Sequence, residues 1–398
     1  MLEILPDVKC PAHDSAHLHV AGTSQFIDDK PMSKDELFVG VVLSPHAKAL
    51  IKSIDTKNAL DVSGVHCVIL AKDLHHNRWG GIICEQPIIA DAEVNYVGEV
   101  VAVVAAETMD ALKEAAKKVI VIYEQKEPTL SIDEAIKKRA YIIDKKIISR
   151  GDAKSFLEKS PHKLSGTVII KGAEHFYLEN HAAIAYPKED GFIEVHSSTQ
   201  HPSETQALVA EALGLPQSFV SCITKRLGGG FGGKETQAAP FAVYVSMVAK
   251  ITHRPARIVL SKDDDMVITG KRNPYQVNYL VGFDEKAQVL ALLCDFFGDG
   301  GAYADLSTSI LERAMAHVDN AYFFPNIYIT GAVCRTNFHS HTAFRGFGGP
   351  KGVAVIEHIM EEIAHFLKLD ALDVRKLNCY QGDKNITPYG QKVLNNLL

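Results

Sequence analysis

The sequence predicts an α+β fold in at least two domains. Strand-like runs rich in β-branched residues and segments with helical spacing both recur along the chain, and no internal repeat is present. The 398 residues exceed what one domain usually holds. Hydrophobic residues make up 46% and charged residues 23%, fractions that are typical of a globular protein and exclude a disordered or collagen-like chain.

Charge and hydropathy exclude two further classes of protein. The formal net charge of -6 at pH 7 argues against nucleic acid or an anionic membrane as the main partner. The longest nearly apolar run, 238–249, contains a proline and a serine and is shorter than the ~20 residues that cross a bilayer. The N-terminus shows no basic start followed by a long apolar stretch, so we expect a cytoplasmic protein.

The cysteine pattern limits the redox chemistry that this chain can perform. Seven cysteines are present, and no pair has the C-x-x-C spacing of an iron–sulfur or zinc site. Free thiols in a reducing compartment are the expected state. If the protein does redox chemistry, its electrons have to leave through another chain or a diffusible acceptor.

We expect a first domain at residues 1–124 and a connecting segment at residues 125–152. The end of the first domain has a small βαβ-like pattern, formed by a strand, a helix and a strand at Val100–Ala105, Asp110–Lys118 and Val119–Tyr123. The connecting segment is charged and contains one short helical stretch near Ile132–Lys138.

The second domain is expected at residues 153–398. A helix is predicted over Pro202–Leu213, because proline suits a first helical turn, Ser203 and Gln206 have capping-box spacing, and Gly214 follows as a stop. The remaining elements are four strands, a hairpin and a long amphipathic helix, predicted at Thr167–Ile170, Ile193–His196, Phe219–Thr224, Arg257–Leu260, Asn278–Phe283 with Val289–Phe297, and Lys351–Leu367.

The strongest local signal is a glycine loop, Leu227–Glu235, with the sequence LGGGFGGKE. Five glycines in six positions leave the backbone free to adopt positive φ and let amide N–H groups approach a ligand closely. The loop lies between a predicted strand and an apolar helix that runs through Ala249. We therefore expect its amides to point from a helix N-terminus, where anions bind.

Three anion-binding interpretations of this loop remain open. Gly228, Gly230 and Gly233 fit the dinucleotide pattern G-x-G-x-x-G, but no acidic residue follows about 20 positions later. Gly228 to Lys234 also fit the phosphate-loop pattern, but Glu235 replaces the hydroxyl residue that binds Mg²⁺. The third interpretation is a pterin cofactor whose oxo-metal and phosphate oxygens accept backbone hydrogen bonds.

A second glycine loop, Thr342–Pro350, has the sequence TAFRGFGGP. It combines glycines with aromatic residues and with Arg345, whose planar guanidinium suits oxyanions and phosphates. Two Phe/Gly loops in one domain suggest that both wrap the same ligand.

The chain resembles the molybdenum-binding subunits of bacterial xanthine dehydrogenases, within the molybdenum hydroxylases that include the aldehyde oxidases. The resemblance extends over essentially the whole chain and is carried by five motifs, GGGFGGKE at 228–235, AFRGFGGP at 343–350, ERA at 312–314, EHFYLE at 174–179 and the glutamine of STQHP at Gln200. It implies a small N-terminal α/β hammerhead domain, which residues 98–124 resemble, followed by the first molybdenum-cofactor-binding α+β domain.

The resemblance also implies roles for individual residues. It places one set around molybdenum and its molybdopterin, consisting of Gln200, Gly230, Phe231, Gly232 and Arg345, with Gln200, Phe231 and Arg345 nearest the metal. It places Glu235, Arg313 and Phe347 in the substrate pocket. There Glu235 orients a purine, Arg313 stabilises negative charge on the heterocycle during attack, and Phe347 packs against the ring.

The charged pair Glu235 and Arg313 favours hypoxanthine and xanthine as substrates, because an apolar aldehyde would leave both groups unpaired. An aldehyde or another heterocycle is the alternative substrate. The resemblance further implies that FAD and 2Fe–2S clusters lie on a partner subunit that passes electrons to NAD. The expected assembly is a dimer of heteromers.

The family's molybdenum subunit continues beyond the length of this sequence, and the continuation supplies the glutamate that acts as general base. We therefore expect the sequence to be one part of a subunit and to be inactive alone. A non-catalytic fragment that docks on a partner is a further alternative.

Overall fold

The computed structural model describes residues 13–394 and shows mixed α and β structure. Its strands, β1 to β17 in chain order, are Leu37–Leu43, Ala49–Asp55, Val65–Ile69, Arg78–Trp79, Gln86–Pro87, Glu93–Val94, Val100–Ala106, Ile120–Gln125, Lys146–Arg150, His162–Ile170, Ala182–Pro187, Ile193–Ser197, Val220–Ile223, Ala256–Val259, Tyr275–Phe283, Val289–Gly301 and Ile327–Arg335.

The α-helices, α1 to α11, are Ala16–Val20, Lys57–Leu60, Met109–Lys118, Ile132–Lys138, Ala153–Lys159, Pro202–Leu213, Ala239–Thr252, Lys262–Ile268, Ser307–Ala316, Gly349–Leu367 and Ala371–Asn378. Across residues 13–394, none of these helices has the length and apolar character needed to span a bilayer.

A seven-stranded sheet joins the N-terminal part of the chain to the part after residue 152. Its strand order is β13-β12-β11-β14-β1-β7-β3. The two parts meet where β1 pairs in parallel with β14, with Leu37 opposite Ala256, while the other side of β1 pairs antiparallel with β7. Every residue of β7 is buried, as expected for a continuous apolar strand inside a sheet.

The first core packs helix α7 against this sheet. Eleven consecutive residues of α7, Ala239 to Ala249, are buried, and α7 also contacts α6, β11 and β14. A helix that is apolar all round has to be buried, which explains why the longest apolar run of the sequence lies at the centre of the molecule.

The second core is built on a five-stranded sheet, β10-β15-β16-β17-β9, covered by α9, α10 and α11. The apolar stripe of α10 includes Val355, Ile359 and Ile363, which recur at helical spacing and are buried. Two smaller sheets, β6-β2-β8 and β4-β5, belong to the N-terminal part.

The structure confirms the predicted helix Pro202–Leu213, with Gly214 in the left-handed conformation at its end. The predicted capping box is wrong. His201 is the N-cap and Pro202 is the first helical residue, so Ser203 lies inside the first turn and cannot cap it.

The predicted βαβ-like unit is also corrected. Its strand, helix and strand exist as β7, α3 and β8, but the two strands lie in different sheets. Strand β8 pairs antiparallel with β2, from Ala49 opposite Gln125 to Asp55 opposite Ile120. The sequence indicated that the three elements exist. It did not indicate the pairing of β8, because its partner β2 lies more than 60 residues earlier in the chain.

A buried polar contact fixes the N-terminal part against the second core. The Tyr303 hydroxyl donates a 2.8 Å hydrogen bond to Oε1 of Glu99, and the Asn95 amide donates to the other carboxylate oxygen. Glu99 is 2% exposed, and burial raises its pKa to about 7.

Replacing Glu99 by glutamine is expected to change how stability depends on pH. The raised pKa means that the folded state favours the protonated carboxyl, so wild-type stability is lost as pH rises from the unfolded value near 4.5 to about 7. Glu99→Gln lacks this ionisation and should gain about 2–3 kcal/mol relative to wild type between pH 5 and pH 8. Urea unfolding at both pH values measures the difference, and a pH-independent difference would contradict the assignment.

Candidate functional site

The first glycine loop leaves the edge strand β13 and runs to α7. The helix begins at Ala239, four residues after Glu235, with Ala238 as its N-cap. The expectation that the loop amides form the N-terminus of a helix is therefore wrong, because several residues separate the glycines from the first turn.

Three side-chain hydrogen bonds hold the loop amides at its two ends. A carboxylate oxygen of Glu179 accepts from the Gly228 amide at 2.7 Å. Oε1 of Gln200 accepts from the amides of Gly232 at 2.8 Å and Lys234 at 3.3 Å. Within residues 13–394, the amides between these points, at 229–231, have no hydrogen-bond acceptor.

The glycines allow this loop to approach other parts of the chain. A Cβ at Gly230 would lie 2.5 Å from Oε1 of Gln200. A Cβ at Gly232, where φ is +95°, would lie 2.7 Å from the carbonyl oxygen of Ala343 in the second loop. These positions require glycine for close packing as well as for backbone freedom.

Gln200 presents its amide nitrogen at the surface beside the loop tip. Its main-chain N–H donates to the Lys234 carbonyl at 2.8 Å, and its side-chain oxygen is used by the loop amides. The side chain is exposed, and its Nε2 has no acceptor among the residues that the structure describes. It can therefore donate to an external oxygen.

The two glycine loops lie against each other. The Arg345 amide donates a 2.9 Å hydrogen bond to the Phe231 carbonyl. His175 contacts both loops: its ring stacks on Phe344 at 4.5 Å, its Nε2 donates to the Ala343 carbonyl at 2.7 Å, and a Cβ at Gly233 would lie 2.8 Å from the ring. Burial lowers the pKa of His175 to about 4, so this histidine stays neutral at physiological pH.

Phe231 and Arg345 project from the junction of the loops. Phe231 is 46% exposed and has a positive φ of 52°. The main chain at Arg345 is held by Arg272, whose guanidinium donates to the Arg345 carbonyl at 3.0 Å and lies 3.7 Å above the Phe344 ring. The Arg345 side chain is exposed and has no partner in the described part of the chain.

Phe347 lies in the second glycine loop and Arg313 lies on α9, and both belong to the part of the chain that forms the second core. Phe347, with φ of 46°, packs against Leu306, Ile310 and Ala343. Arg313 follows Ile310 by three positions on α9, so the two side chains share one side of that helix. The guanidinium is exposed and unpaired within residues 13–394, and the neighbouring Glu312 pairs with Lys146.

Glu235 lies in a separate cavity of about 210 Å³. The cavity is lined by Trp79, Gly80, Gly81, Cys84, Glu204, Ala207, Leu208, Glu211, Glu235, Thr236 and Ala239. Burial raises the pKa of the Glu235 carboxyl, and the nearby Glu204 raises it further, whereas His201 lowers it. A carboxyl with a raised pKa can donate a hydrogen bond when protonated and accept one when ionised.

Leu306 connects this cavity to the Phe347 cluster. A Cβ at Gly81 would lie 2.8 Å from Cδ2 of Leu306, and Leu306 in turn packs with Phe347. In the part of the chain that the structure describes, no hydrogen bond or ion pair joins Glu235 to Arg313. Leu306 thus contacts both Gly81, which lines the Glu235 cavity, and Phe347, but neither Phe347 nor Arg313 lines that cavity in the described part of the chain.

Sequence reasoning missed Asp305, which lies between the loops. This residue is buried with φ of 39°, and its carboxylate accepts from Nε2 of Gln237 at 3.2 Å. Thr236 and Thr342, one from each loop region, have hydroxyl oxygens 3.4 Å apart beside it. No motif or spacing in the sequence marks a single aspartate as a residue that lies between the two loops.

Lys234, the residue that suggested a phosphate loop, points into the protein. Its Nζ donates to the Glu179 carbonyl at 2.6 Å and to the Asn180 carbonyl at 3.2 Å, and the side chain is fully buried. It therefore cannot reach a bound phosphate at the loop tip, which removes the phosphate-loop interpretation.

Comparison with known proteins identifies two matching families. The family described as molybdopterin cofactor-binding domain matches residues 136–379. The family described as aldehyde oxidase and xanthine dehydrogenase, a/b hammerhead domain, matches residues 21–127.

Curated relatives are longer than this chain. It is 40% identical over 383 residues to the xanthine dehydrogenase/oxidase of Gallus gallus. The aligned region covers 96% of this chain and 28% of that protein. It is 41% identical over 386 residues to the xanthine dehydrogenase of Drosophila pseudoobscura pseudoobscura, covering 96% of the chain and 29% of that protein. The chain thus spans less than a third of the length of these relatives.

Solved structures share the fold. The aldehyde oxidoreductase of Desulfovibrio gigas matches with a TM-score of 0.89 and 27% identity, over 95% of this chain and 44% of that one. Quinoline 2-oxidoreductase of Pseudomonas putida 86 matches with a TM-score of 0.88 and 23% identity, over 95% and 51% of the two chains, and this likeness shows the fold alone.

Gly232→Ala should separate the two glycine loops. The added methyl group would meet the Ala343 carbonyl, whereas Gly191→Ala is a matched control with a similar positive φ of 81° and no atom within 4 Å. We expect Gly232→Ala to lower the free energy of unfolding by about 1–3 kcal/mol more than Gly191→Ala. Denaturant titration of both variants gives the difference, and equal losses would show that the loops are not in contact.

Proposed function

Because the chain belongs to the aldehyde oxidase and xanthine dehydrogenase family and carries its molybdopterin cofactor-binding domain, we propose that its two glycine loops bind a molybdenum–molybdopterin group for the oxidation of purines. The predicted fold, a hammerhead domain followed by a molybdenum-cofactor-binding domain, is confirmed. The observation that carries the proposal is the junction of the loops, where the Arg345 amide binds the Phe231 carbonyl at 2.9 Å.

The residues at this junction fit an oxygen-rich, anionic group. The amides at 229–231 lack acceptors within residues 13–394, and Nε2 of Gln200 and the guanidinium of Arg345 are also free there. All of these groups are hydrogen-bond donors, and they belong to the two joined loops and to Gln200, which binds the first loop. Oxo and phosphate oxygens are the acceptors that such a donor set favours.

Each residue then has a defined task. When bound, the metal–pterin group supplies oxygen transfer and two-electron redox chemistry. Gln200 would donate a hydrogen bond from Nε2 to an oxygen of the group, and the backbone at Gly230, Phe231 and Gly232 would help to hold it. Arg345 offers a fixed positive charge to its anionic part.

The substrate side of the proposal rests on Glu235 and Arg313. We propose hypoxanthine and xanthine as substrates, converted towards urate, because a carboxyl and a guanidinium match the donors and acceptors of a purine. Glu235 orients the heterocycle, Arg313 stabilises the negative charge that develops on it, and Phe347 packs against the ring. The relatives at 40% and 41% identity are named xanthine dehydrogenases, which supports this substrate class.

Electron transfer is proposed to use a partner chain. We propose that the 2Fe–2S clusters and FAD lie on another subunit, with NAD as the final acceptor, because no two cysteines of this sequence have the C-x-x-C spacing of a cluster site. We further propose that the general-base glutamate belongs to the remainder of the molybdenum subunit and that the whole forms a cytoplasmic dimer of heteromers. A bacterial origin remains a prediction as well.

Aldehyde oxidation is the second candidate. It is supported by the structural match to the aldehyde oxidoreductase of Desulfovibrio gigas, at 27% identity. The two candidates differ in whether the substrate needs the charged groups at residues 235 and 313.

Removing either charged group should impair purine oxidation. In the complete assembly that contains this chain, Glu235→Ala and Arg313→Ala are each expected to lower kcat/KM for xanthine by about 10²-fold, because a buried or charge-stabilising contact is lost. Urate absorbance measures the rate, and molybdenum content confirms that the variants stay loaded.

Glu312→Ala is the matched control, since Glu312 is exposed beside Arg313 and pairs with Lys146. It should leave the rate unchanged. Undiminished xanthine oxidation in Glu235→Ala and Arg313→Ala would contradict the purine pocket. A wild-type assembly that oxidises aldehydes but not xanthine would favour the second candidate, and a molybdenum-free assembly would favour a non-catalytic role.

A further inference from the structure

Two buried charges, Lys234 and Glu179, lie beneath the first glycine loop and have no part in the roles proposed above. The Lys234 side chain is completely buried, and that of Glu179 is 10% exposed. The ammonium lies 3.3 Å from a carboxylate oxygen of Glu179 and also donates to the main-chain carbonyls of Glu179 and Asn180. The same carboxylate oxygen accepts from the Gly228 amide at 2.7 Å.

The pair therefore holds both ends of the loop from one place. Glu179 binds the amide of Gly228 at the start, and Lys234 is itself the last residue before Glu235. Between these ends, Gln200 takes the amides of Gly232 and Lys234. Of the amides between these ends, only those at 229–231 are left without an acceptor in residues 13–394, and they lie next to the exposed side chain of Phe231.

The energetics favour a geometric role for the pair over a simple stabilising one. Burial lowers the pKa of Lys234 to about 8, although the Glu179 carboxylate acts in the opposite direction. A buried ion pair adds little stability compared with apolar side chains of the same volume, but losing one partner is strongly destabilising. The surrounding contacts include the Tyr177 ring, whose centroid lies 4.7 Å from the ammonium.

We propose that Lys234 and Glu179 are positioning residues that determine which loop amides face the cofactor. By fixing the two ends of the loop, they leave the amides of Gly229, Gly230 and Phe231 free of protein acceptors and keep the amides of Gly228 and Gly232 hydrogen-bonded within the chain. That the ligand is a molybdenum–molybdopterin group rests on the function proposed above. Which loop amides are free to bind a ligand depends only on the residues of this chain.

The first experiment measures the loop without any cofactor. Hydrogen–deuterium exchange, resolved to single amides by electron-transfer fragmentation, is compared between the wild-type chain and Lys234→Met. In wild type, the amides of Gly228 and Gly232 should exchange slowly and those at 229–231 rapidly. In Lys234→Met, exchange at both protected amides should rise about tenfold or more, the change expected for one lost hydrogen bond.

A double variant separates positioning from stability. Glu179→Leu with Lys234→Met replaces the pair by apolar side chains and should regain most of the thermal stability that Lys234→Met loses. If the pair positions the loop, Gly232, which neither residue touches through its side chain, should still exchange rapidly. Slow exchange at Gly232 in the double variant would overturn the proposal, and so would an unchanged pattern in Lys234→Met.

The second experiment measures molybdenum by elemental analysis in the complete assembly. Lys234→Met and the double variant should both lose most of the metal, whereas the control Lys118→Met, which breaks an exposed pair with Glu114, should keep it. Full occupancy in the double variant would overturn the positioning role. A wild-type assembly without molybdenum would instead overturn the proposed function, and the exchange measurement would still decide how the amides are selected.

Discussion

The hydrogen bond from the Arg345 amide to the Phe231 carbonyl is the contact on which the candidate site depends, because it joins two loops that belong to different cores. The first loop leaves an edge strand of the seven-stranded sheet, and the second leads into α10, which packs on the five-stranded sheet. A ligand that touches both loops therefore lies where the two cores meet. The stacking of His175 on Phe344 reinforces the same junction.

The alignment of the cores needs more than one main-chain hydrogen bond. Arg335, at the end of β17, pairs with Glu85 at 3.0 Å, and Tyr303 binds Glu99, so one anchor of the N-terminal part is the stretch just before α9. The same stretch contains Asp305 and Leu306, which contact the residues around both loops and the Glu235 cavity. Asp305 and Leu306 thus link the contact between the two parts of the chain to the candidate site. A substitution at that contact would therefore change the shape of the site.

Local features were predictable from the sequence, whereas long-range pairing was not. Proline at the start and glycine at the end marked the helix Pro202–Leu213, and the density of glycines marked the loops. The capping box failed because Ser203 competes with a proline that already begins the helix. The sheet containing β8 and the inward direction of Lys234 depend on residues more than 50 positions away in the sequence, which no local pattern records.

Charge explains why the two ends of the site differ. At the loop junction the side-chain groups of Gln200 and Arg345 that have no partner within residues 13–394 are donors, whereas the carbonyl of Phe231 is bound by Arg345 and the carboxylate of Glu179 is bound by Gly228 and Lys234. Beyond Leu306 the cavity offers the Glu235 carboxyl, whose pKa is raised by burial. A ligand that fits both ends needs hydrogen-bond acceptors at the loop junction and a hydrogen-bonding group that faces the Glu235 carboxyl. The two ends differ because the Phe231 carbonyl and the Glu179 carboxylate are already hydrogen-bonded within the protein, whereas the Glu235 carboxyl lines a cavity.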